Sequence, residues 1–159
     1  MVTLHRPSNV DRQERLNALA EALVALQAKL PLVFPVHPRT AAQLAKSGLA
    51  GKLTAAGVKL VEPLPYKRFM SLVLGLRLVV TDSGGIQEET TYLGIPCLML
   101  RPNTERPITI SEGTNRLVTL AMLSGAVDEA MGRSYQLRRP EFCDGQTAGW
   151  WVADLIARG

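Results

Sequence analysis

The sequence predicts an α/β protein built as a single Rossmann-like, doubly wound parallel sheet. Two observations lead to this fold class: short apolar runs alternate with segments of helical periodicity, and some of the runs are apolar almost throughout. Strands that are apolar on both faces are typical of parallel sheets covered by helices on either side. The 159 residues, 47% of them hydrophobic, suit one domain with a substantial core.

The first sixty residues switch regularly between the two periodicities. In chain order they predict a strand at 1–5, a helix at 10–29, a strand at 32–36, a helix at 40–48 and a strand at 58–62. Asn9 and Thr40 are the expected N-caps of the two helices. Pro35, inside the second apolar run, disfavours a central position in the sheet or marks a bulge.

The rest of the chain continues the alternation. It predicts a helix at 66–75, a strand at 77–81, a helix at 86–93, a strand at 96–100, a sixth strand at 115–120, a weak helix at 121–131 and a closing helix at 147–157. Gly94 is expected to end the helix before the fifth strand. No internal repeat or linker interrupts the pattern, so one domain over 1–159 is expected.

Composition argues against several classes of protein. No run approaches the ~18 apolar residues of a membrane helix, and the N-terminal residues turn polar too soon for a signal peptide, so a cytoplasmic protein without a membrane segment is expected. Cys97 and Cys143 have no metal or disulfide spacing, and Cys97 is expected to be a small buried hydrophobe. The net charge of +4 is scattered and aromatics are few, which favours a small anionic ligand over nucleic acid.

Ligands of doubly wound sheets bind beyond the carboxyl ends of the strands. The loops at those ends hold both histidines of the chain, and they are "HRPSN" (5–9), "HPRT" (37–40), "EPLPY" (62–66), "DSGG" (82–85) and "RPNTERP" (101–107). We therefore expect the functional residues in these five loops.

The "DSGG" loop is the strongest candidate for an anion site. Ser83, Gly84 and Gly85 stand between an apolar strand and a helix, where glycines permit close approach and free N–H groups point at a ligand such as a diphosphate. One turn later, Glu88 or Glu89 offers a carboxylate that only accepts hydrogen bonds, as the two hydroxyls of a ribose require. A tight turn with two solvated carboxylates is the alternative.

Cationic and aromatic side chains mark the neighbouring loops. His5 and Arg6 could contact a phosphate or polarise a leaving group, although a structural, hydrogen-bonded histidine at a strand end is equally compatible with the sequence. His37 permits the same interpretation. A metal shared by the two histidines is disfavoured because neither has a carboxylate or cysteine beside it in the sequence.

Two further candidates lie in the remaining loops. Arg106 lies in a long irregular loop, which is more often functional than structural, although an ordinary surface arginine is the alternative. Tyr66 and Phe69 could flank a base, although the helical spacing of Phe69 also suits the core.

The order of these segments resembles that in the non-hydrolysing UDP-N-acetylglucosamine 2-epimerases. The segments that carry the resemblance are "VTLHRPSNVD", "FPVHPRT", "EPLPYKRF", "VVTDSGGIQEETTYLGIPCLMLR", "TERP", "EGTN" and "RRPEFCDG". The resemblance implies the C-terminal, UDP-binding half of a glycosyltransferase-B-type fold. The N-terminal domain of that family, with its "GTRPE" motif and the acidic residues credited with proton transfer at the sugar C2, has no counterpart in this sequence.

The resemblance also implies roles for individual residues. Ser83, Gly84 and Gly85 would hold the diphosphate and Glu89 the ribose, with Phe69 beside the uracil. His5 and Arg106 would be catalytic, stabilising departing UDP. In the family, UDP is eliminated and then added back with inversion at C2, without a metal or nicotinamide cofactor.

The resemblance leaves other points open. Residues matching Arg6 and His37 line a second, activating sugar-nucleotide site in some members, but Ser8 replaces a glutamate of that site here. The expected partners are UDP or UDP-GlcNAc and the missing N-terminal epimerase domain, without which the isolated chain is predicted to be inactive. The oligomeric state stays open, because the family's dimer contacts largely involve the absent half.

Two alternatives remain at this stage. One is the donor-nucleotide half of a glycosyltransferase-B enzyme, which also uses a glycine-rich turn and a ribose-binding glutamate. The other is a noncatalytic sugar-nucleotide sensor or binding partner that completes a split enzyme. "TERP" and "HRPSN" argue against the glycosyltransferase.

Overall fold

The computed structural model describes residues 1–133, so the predicted helix at 147–157 and Cys143 lie outside the described residues. Strands and helices alternate as the sequence predicts. In chain order they are β1 (Val2–Thr3), α1 (Pro7–Val10), α2 (Gln13–Gln27), β2 (Val33–Pro35), α3 (Pro38–Lys46), α4 (Leu49–Ala55), β3 (Lys59–Val61), α5 (Tyr66–Leu74), β4 (Val79–Thr81), α6 (Ile86–Tyr92), β5 (Cys97–Met99), α7 (Ile108–Ser111), β6 (Asn115–Leu117) and α8 (Leu123–Gly132).

All described strand pairs are parallel, which confirms the predicted fold class. Hydrogen bonds join four strands in the order β1-β4-β5-β6, and β2 and β3 form a separate pair. Strand β2 packs beside β1 without a hydrogen-bonded ladder between them. Pro35 in β2 has no N–H to donate, in keeping with the expectation that it disfavours central pairing. The spatial order is therefore 3-2-1-4-5-6, the doubly wound order whose direction reverses between β1 and β4.

Two hydrophobic clusters cover the two faces of the sheet. Along β4, Val79 packs into the cluster under α5 and α6, whereas Val80 packs into the larger cluster with α2 and α8. Strand β5 divides in the same way, with Cys97 on the first face and Leu98 on the second. Successive side chains of a strand point to opposite faces, so both faces of the central strands are buried. Cys97 is fully buried, as expected, and burial raises the pKa of its thiol to about 12.

Both predicted helix caps are wrong, for the same physical reason. Asn9 lies inside α1, and its amide donates to Asp82 and to the carbonyl of Leu100. The hydroxyl of Thr40, buried within α3, donates to the carbonyl of Leu4 at 2.6 Å. Both side chains therefore bond to distant strand ends instead of to their own helix.

Other predictions at the element level also need correction. Helix α3 is capped by His37, whose Nδ1 accepts from the N–H of Arg39. Helices α4 and α7 were not predicted, and for α4 the two glycines of "GLAGKLT" obscure the helical pattern. Gly48, with φ +69°, makes the left-handed turn between α3 and α4.

No helix among residues 1–133 is long and apolar enough to cross a membrane.

Candidate functional site

The loops after β1 and β4 are joined by one buried carboxylate. Asp82 is fully buried, and its two oxygens accept the backbone N–H groups of His5 and Arg6 at 2.9–3.2 Å. The Asn9 amide donates to the same carboxylate at 3.0 Å, and the Arg6 Nε donates to the Asp82 carbonyl at 2.9 Å. Because β1 and β4 flank the point where strand order reverses, Asp82 fixes both walls of the crevice in which such folds bind ligands.

The glycine turn follows Asp82 directly and presents two N–H groups. The N–H of Ser83 donates to the Thr81 hydroxyl at 2.9 Å and is therefore not available, contrary to the expectation that all three amides of 83–85 face a ligand. Within residues 1–133, the N–H groups of Gly84 and Gly85 donate to no protein acceptor. The turn needs no left-handed backbone, and Gly85 has φ −67°. The two free N–H groups point to an anion site at the start of α6.

A buried amide connects this turn to the loop at 101–107. The side chain of Gln87 donates to the carbonyl of Gly84 at 3.2 Å and accepts from the hydroxyls of Thr104 and Thr109. Thr104 in turn accepts the backbone N–H of Arg106 at 2.9 Å. One fully buried glutamine therefore sets the relative position of the two loops that carry the predicted anion-binding residues.

An ion cluster lies behind the glycine turn. Arg101, whose side chain is 3% exposed, donates through both terminal nitrogens to Glu105, and Arg6 approaches the same carboxylate at 3.7 Å. Hydrogen bonds from Arg101 are the main reason why the pKa of Glu105 falls to about 2. A Cβ on Gly84 would lie 3.6 Å from Arg101 and 3.7 Å from Glu105, which places the cluster against the turn.

The two glutamates of α6 have different environments. Glu88 pairs with the Nε of Arg106 at 3.2 Å. In Glu89, by contrast, Oε2 is buried and has no hydrogen-bond partner among the described residues. Burial is the main cause that raises the pKa of Glu89, followed by the charge of Glu88. Burying a carboxylate oxygen without a hydrogen bond costs free energy, and a hydrogen-bond donor on a bound ligand would remove that cost.

The aromatic candidates lie on α5. Phe69 is partly buried and packs against the cluster that includes Ile86, the first residue of α6. Tyr66 is exposed, and the pKa of its phenol is raised by partial burial and by the negative charge of Glu89. The structure therefore places Tyr66 within electrostatic range of Glu89 and leaves Phe69 partly in the core.

Both histidines lie at the same edge of the sheet. The ring centroids of His5 and His37 are 5.3 Å apart, with a 35° angle between the ring planes. Within residues 1–133, no three His, Cys, Asp or Glu side chains come together as a metal centre would require. The sequence placed these rings in neighbouring loops, and the structure brings them into contact.

Sequence reasoning missed four residues that organise the site: Asp82, Gln87, Arg101 and Glu105. Asp82 carried a usable signal, because it is a carboxylate directly after a buried strand and two residues before the paired glycines. The other three make side-chain hydrogen bonds across gaps of three to twenty-two residues, which no local pattern indicates.

Comparison with known proteins identifies the family. The UDP-N-acetylglucosamine 2-epimerase family profile matches residues 1–155. The UDP-N-acetylglucosamine 2-epimerase of Methanocaldococcus jannaschii is 42% identical over 122 residues, which cover 74% of this chain and 33% of that protein. The UDP-2,3-diacetamido-2,3-dideoxy-D-glucuronate 2-epimerase of Pseudomonas aeruginosa is 36% identical over 161 residues, or 99% of this chain and 44% of that protein.

Solved structures agree with the sequence matches. The M. jannaschii UDP-GlcNAc 2-epimerase has a TM-score of 0.84 at 36% identity, over 99% of this chain and 45% of that one. A crystal structure of the same enzyme in complex with UDP-GlcNAc and UDP has a TM-score of 0.80 at 33% identity. This chain thus spans between a third and a half of the length of these relatives. On the profile match and these similarities, the chain belongs to the UDP-N-acetylglucosamine 2-epimerase family.

Proposed function

We propose that this chain supplies the UDP-binding half of a UDP-GlcNAc 2-epimerase, which interconverts UDP-GlcNAc and UDP-ManNAc by elimination and re-addition of UDP. The observation that carries the proposal is the unsatisfied Oε2 of Glu89, one helical turn beyond the free N–H groups of Gly84 and Gly85. A nucleoside diphosphate satisfies both at once, with its phosphates on the N–H groups and its ribose hydroxyls on the carboxylate.

The diphosphate end of the site has several donors within reach. The N–H groups of Gly84 and Gly85 bind phosphate oxygens, and Ser83 adds a hydroxyl. Arg106 extends from the loop that Gln87 fixes to the turn, and its exposed pairing with Glu88 leaves it free to contact phosphate. As UDP departs from the sugar, negative charge develops on its terminal phosphate, and fixed donors stabilise that charge at no cost of rearrangement.

The remaining candidates take roles at the two ends of the ligand. Phe69 and the neighbouring Tyr66 lie beside the uracil, with Tyr66 offering the more exposed ring. His5 lies near the phosphate and the sugar, on the loop held by Asp82. The resemblance assigns the groups that move the C2 proton to the N-terminal domain of the family, so we place them outside this chain.

The comparisons also suggest what part of the substrate is fixed. The M. jannaschii and P. aeruginosa relatives are named for different sugars, but both names specify a UDP-sugar and a 2-epimerase. We therefore propose UDP as the element that this chain recognises, and we propose GlcNAc as its sugar from the family profile and the M. jannaschii relative.

Calorimetry on this chain tests the proposal. We expect UDP and UDP-GlcNAc to bind and ADP to bind more weakly. Glu89→Gln should weaken UDP binding by about 1–3 kcal/mol, because the neutral amide replaces a charged acceptor for the ribose hydroxyls. Glu112→Gln, at an exposed carboxylate with no ion pair in the described part of the chain, is the matched control and should bind normally. Equal affinity of the two variants, or no binding of UDP by the folded chain, contradicts the proposal.

A further inference from the structure

At Nδ1, the two contacting imidazoles face groups of opposite character, a carboxylate oxygen for His5 and a backbone N–H for His37. Nδ1 of His5 lies 3.3 Å from Oδ1 of Asp82, a fully buried carboxylate. Nδ1 of His37 lies 3.2 Å from the backbone nitrogen of Arg39 and accepts a hydrogen bond from its N–H. A neutral imidazole carries one hydrogen, on one of its two nitrogens. The neighbour of Nδ1 thus decides which nitrogen carries it.

For His5, the neighbour is an acceptor. The Asp82 carboxylate also accepts two backbone N–H groups and the amide of Asn9, so both of its oxygens act as acceptors toward the groups around them. The contact at 3.3 Å is electrostatic and is not an aligned hydrogen bond, but a bare Nδ1 would still bring its partial negative charge close to this oxygen. The neutral ring is therefore stable with hydrogen on Nδ1 and a bare Nε2. For His37, the donor from Arg39 demands the reverse, with hydrogen on Nε2.

We propose that Asp82 is a positioning residue that fixes His5 in the Nδ1–H tautomer, and that His5 and His37 therefore present opposite chemistry through Nε2. His5 offers an acceptor that can take a hydrogen bond from a hydroxyl group of a sugar. His37 offers a donor suited to a phosphate or carbonyl oxygen. The use of the pair on a nucleotide sugar rests on the proposed function, but the tautomers do not depend on it.

The geometry gives Asp82 a double task. It holds the backbone of His5 and Arg6 to the end of β4, and it fixes the ring that projects from the same residue. A buried carboxylate that orients a histidine is a recurring device for setting which ring nitrogen is available to a substrate. Here the same carboxylate precedes the glycine turn, so the imidazole and the anion site are fixed to one point of the sheet.

Ring-nitrogen NMR tests the inference on this chain without a ligand. Long-range ¹H–¹⁵N spectra distinguish protonated from bare ring nitrogens, and the sequence contains only two histidines. The spectra are recorded at a pH at which both rings are neutral, and His37→Gln identifies which signals belong to His5. We expect His5 as Nδ1–H and His37 as Nε2–H. Finding the same tautomer in both rings overturns the inference.

Asp82→Asn tests the role of the carboxylate. The amide must place its oxygen toward the backbone and Asn9 donors, which turns its NH₂ toward His5 Nδ1. We therefore expect the ring nitrogen signals of His5 to shift to the Nε2–H pattern, while those of His37, the internal control, stay unchanged. A folded variant in which His5 keeps its hydrogen on Nδ1 overturns the positioning role. The wild-type measurement decides the tautomers even if this variant does not fold.

A UDP titration of the same wild-type sample separates this inference from the proposed function. If the two rings have opposite tautomers and UDP does not perturb their signals, the nucleotide-binding proposal is contradicted and the role of Asp82 stands. If UDP perturbs the signals but both rings have the same tautomer, the nucleotide-binding proposal stands and the role of Asp82 is contradicted.

Discussion

The side chain and the backbone of Arg106 make separate contacts. Its side chain is half exposed and pairs with Glu88 at 3.2 Å, and exposed pairs of this kind contribute only about 0–1 kcal/mol to stability. Its backbone N–H, in contrast, is held by Thr104 and so is not affected by a change of side chain. A substitution at this position therefore reports on ligand binding more than on folding.

We expect Arg106→Ala to weaken UDP binding by about 1–3 kcal/mol, the value of a charge-assisted contact to phosphate. The free energy of unfolding should change by no more than about 1 kcal/mol. Arg116→Ala is the matched control, because Arg116 also forms an exposed ion pair, with Glu129, but on β6 and α8. Calorimetry with UDP and urea unfolding of both variants make the measurement. If Arg106→Ala and Arg116→Ala bind UDP equally, Arg106 has no place in the site.

Also at the residue scale, the sequence shows which residues can bind a ligand, but it does not show which other residues position those side chains and loops. The paired glycines, Glu89 and the two histidines could be found because each is an unusual residue at a predicted strand end or helix start. Asp82 carried a signal in its position after the strand, but its partners and those of Gln87 could not be assigned, because the arrangement of the strands in space sets them. The N–H of Ser83 was wrongly counted as available for a similar reason, since the competing Thr81 hydroxyl lies on the preceding strand.

At the scale of whole elements, the contact between α6 and the connection from α7 to β6 depends on one glycine. A Cβ on Gly113 would lie 2.3 Å from the carbonyl oxygen of Thr109 and 2.6 Å from the hydroxyl of Thr91. Neither neighbour can easily move, because Thr91 is fully buried on α6 and the other contact is backbone. The close approach of the two elements thus requires a residue without a side chain.

Gly113→Ala should lower the free energy of unfolding by at least about 2 kcal/mol, at the upper end of the usual cost of overpacking. Gly51→Ala is the contrasting control: Gly51 lies within α4, and a Cβ there meets nothing within 4 Å. That variant should be more stable by about 0.5–1 kcal/mol, because alanine loses less conformational freedom in a helix. Urea unfolding measures both values. A neutral Gly113→Ala would mean that α6 and the α7–β6 connection are not in such close contact.

Element boundaries show what a single sequence can and cannot predict. All six strands and the helices α5, α6 and α8 were predicted close to their observed positions, because apolar runs or helical spacing mark them and a proline or glycine bounds most of them. Helix α4 was missed because glycines at 48 and 51 obscured its pattern. Asn9 and Thr40 were misassigned as caps because a local pattern cannot show that a polar side chain bonds to a strand end 36 to 91 residues away.

At the scale of the whole molecule, the groups described here are collected on one edge of one sheet. The loops after β1, β2, β4 and β5 carry the histidines, the glycine turn and the arginines, and Asp82 and Gln87 fix the β1, β4 and β5 loops to one another. The chain covers a third to a half of the length of its relatives, in which this edge is only part of the protein. Under the proposed function, we expect this edge alone to bind a nucleotide. A reaction that moves a proton at C2 and releases UDP at C1 needs positioned groups around the sugar on more than one side.

We therefore expect the 159-residue chain to bind UDP-GlcNAc without converting it to the ManNAc epimer. Incubation in D₂O followed by ¹H NMR of the sugar makes the test sensitive, because even abortive proton exchange at C2 would replace that hydrogen by deuterium. The M. jannaschii UDP-GlcNAc 2-epimerase, which is more than twice as long as the part it shares with this chain, serves as the positive control under the same conditions. Binding measured in the same tube must be present, so that inactivity reflects missing catalytic groups and not missing substrate. Epimer formation or deuterium at C2 with this chain alone would show that the acid and the base both lie within it, and that the carboxylates of this edge act in the chemistry as well as in binding.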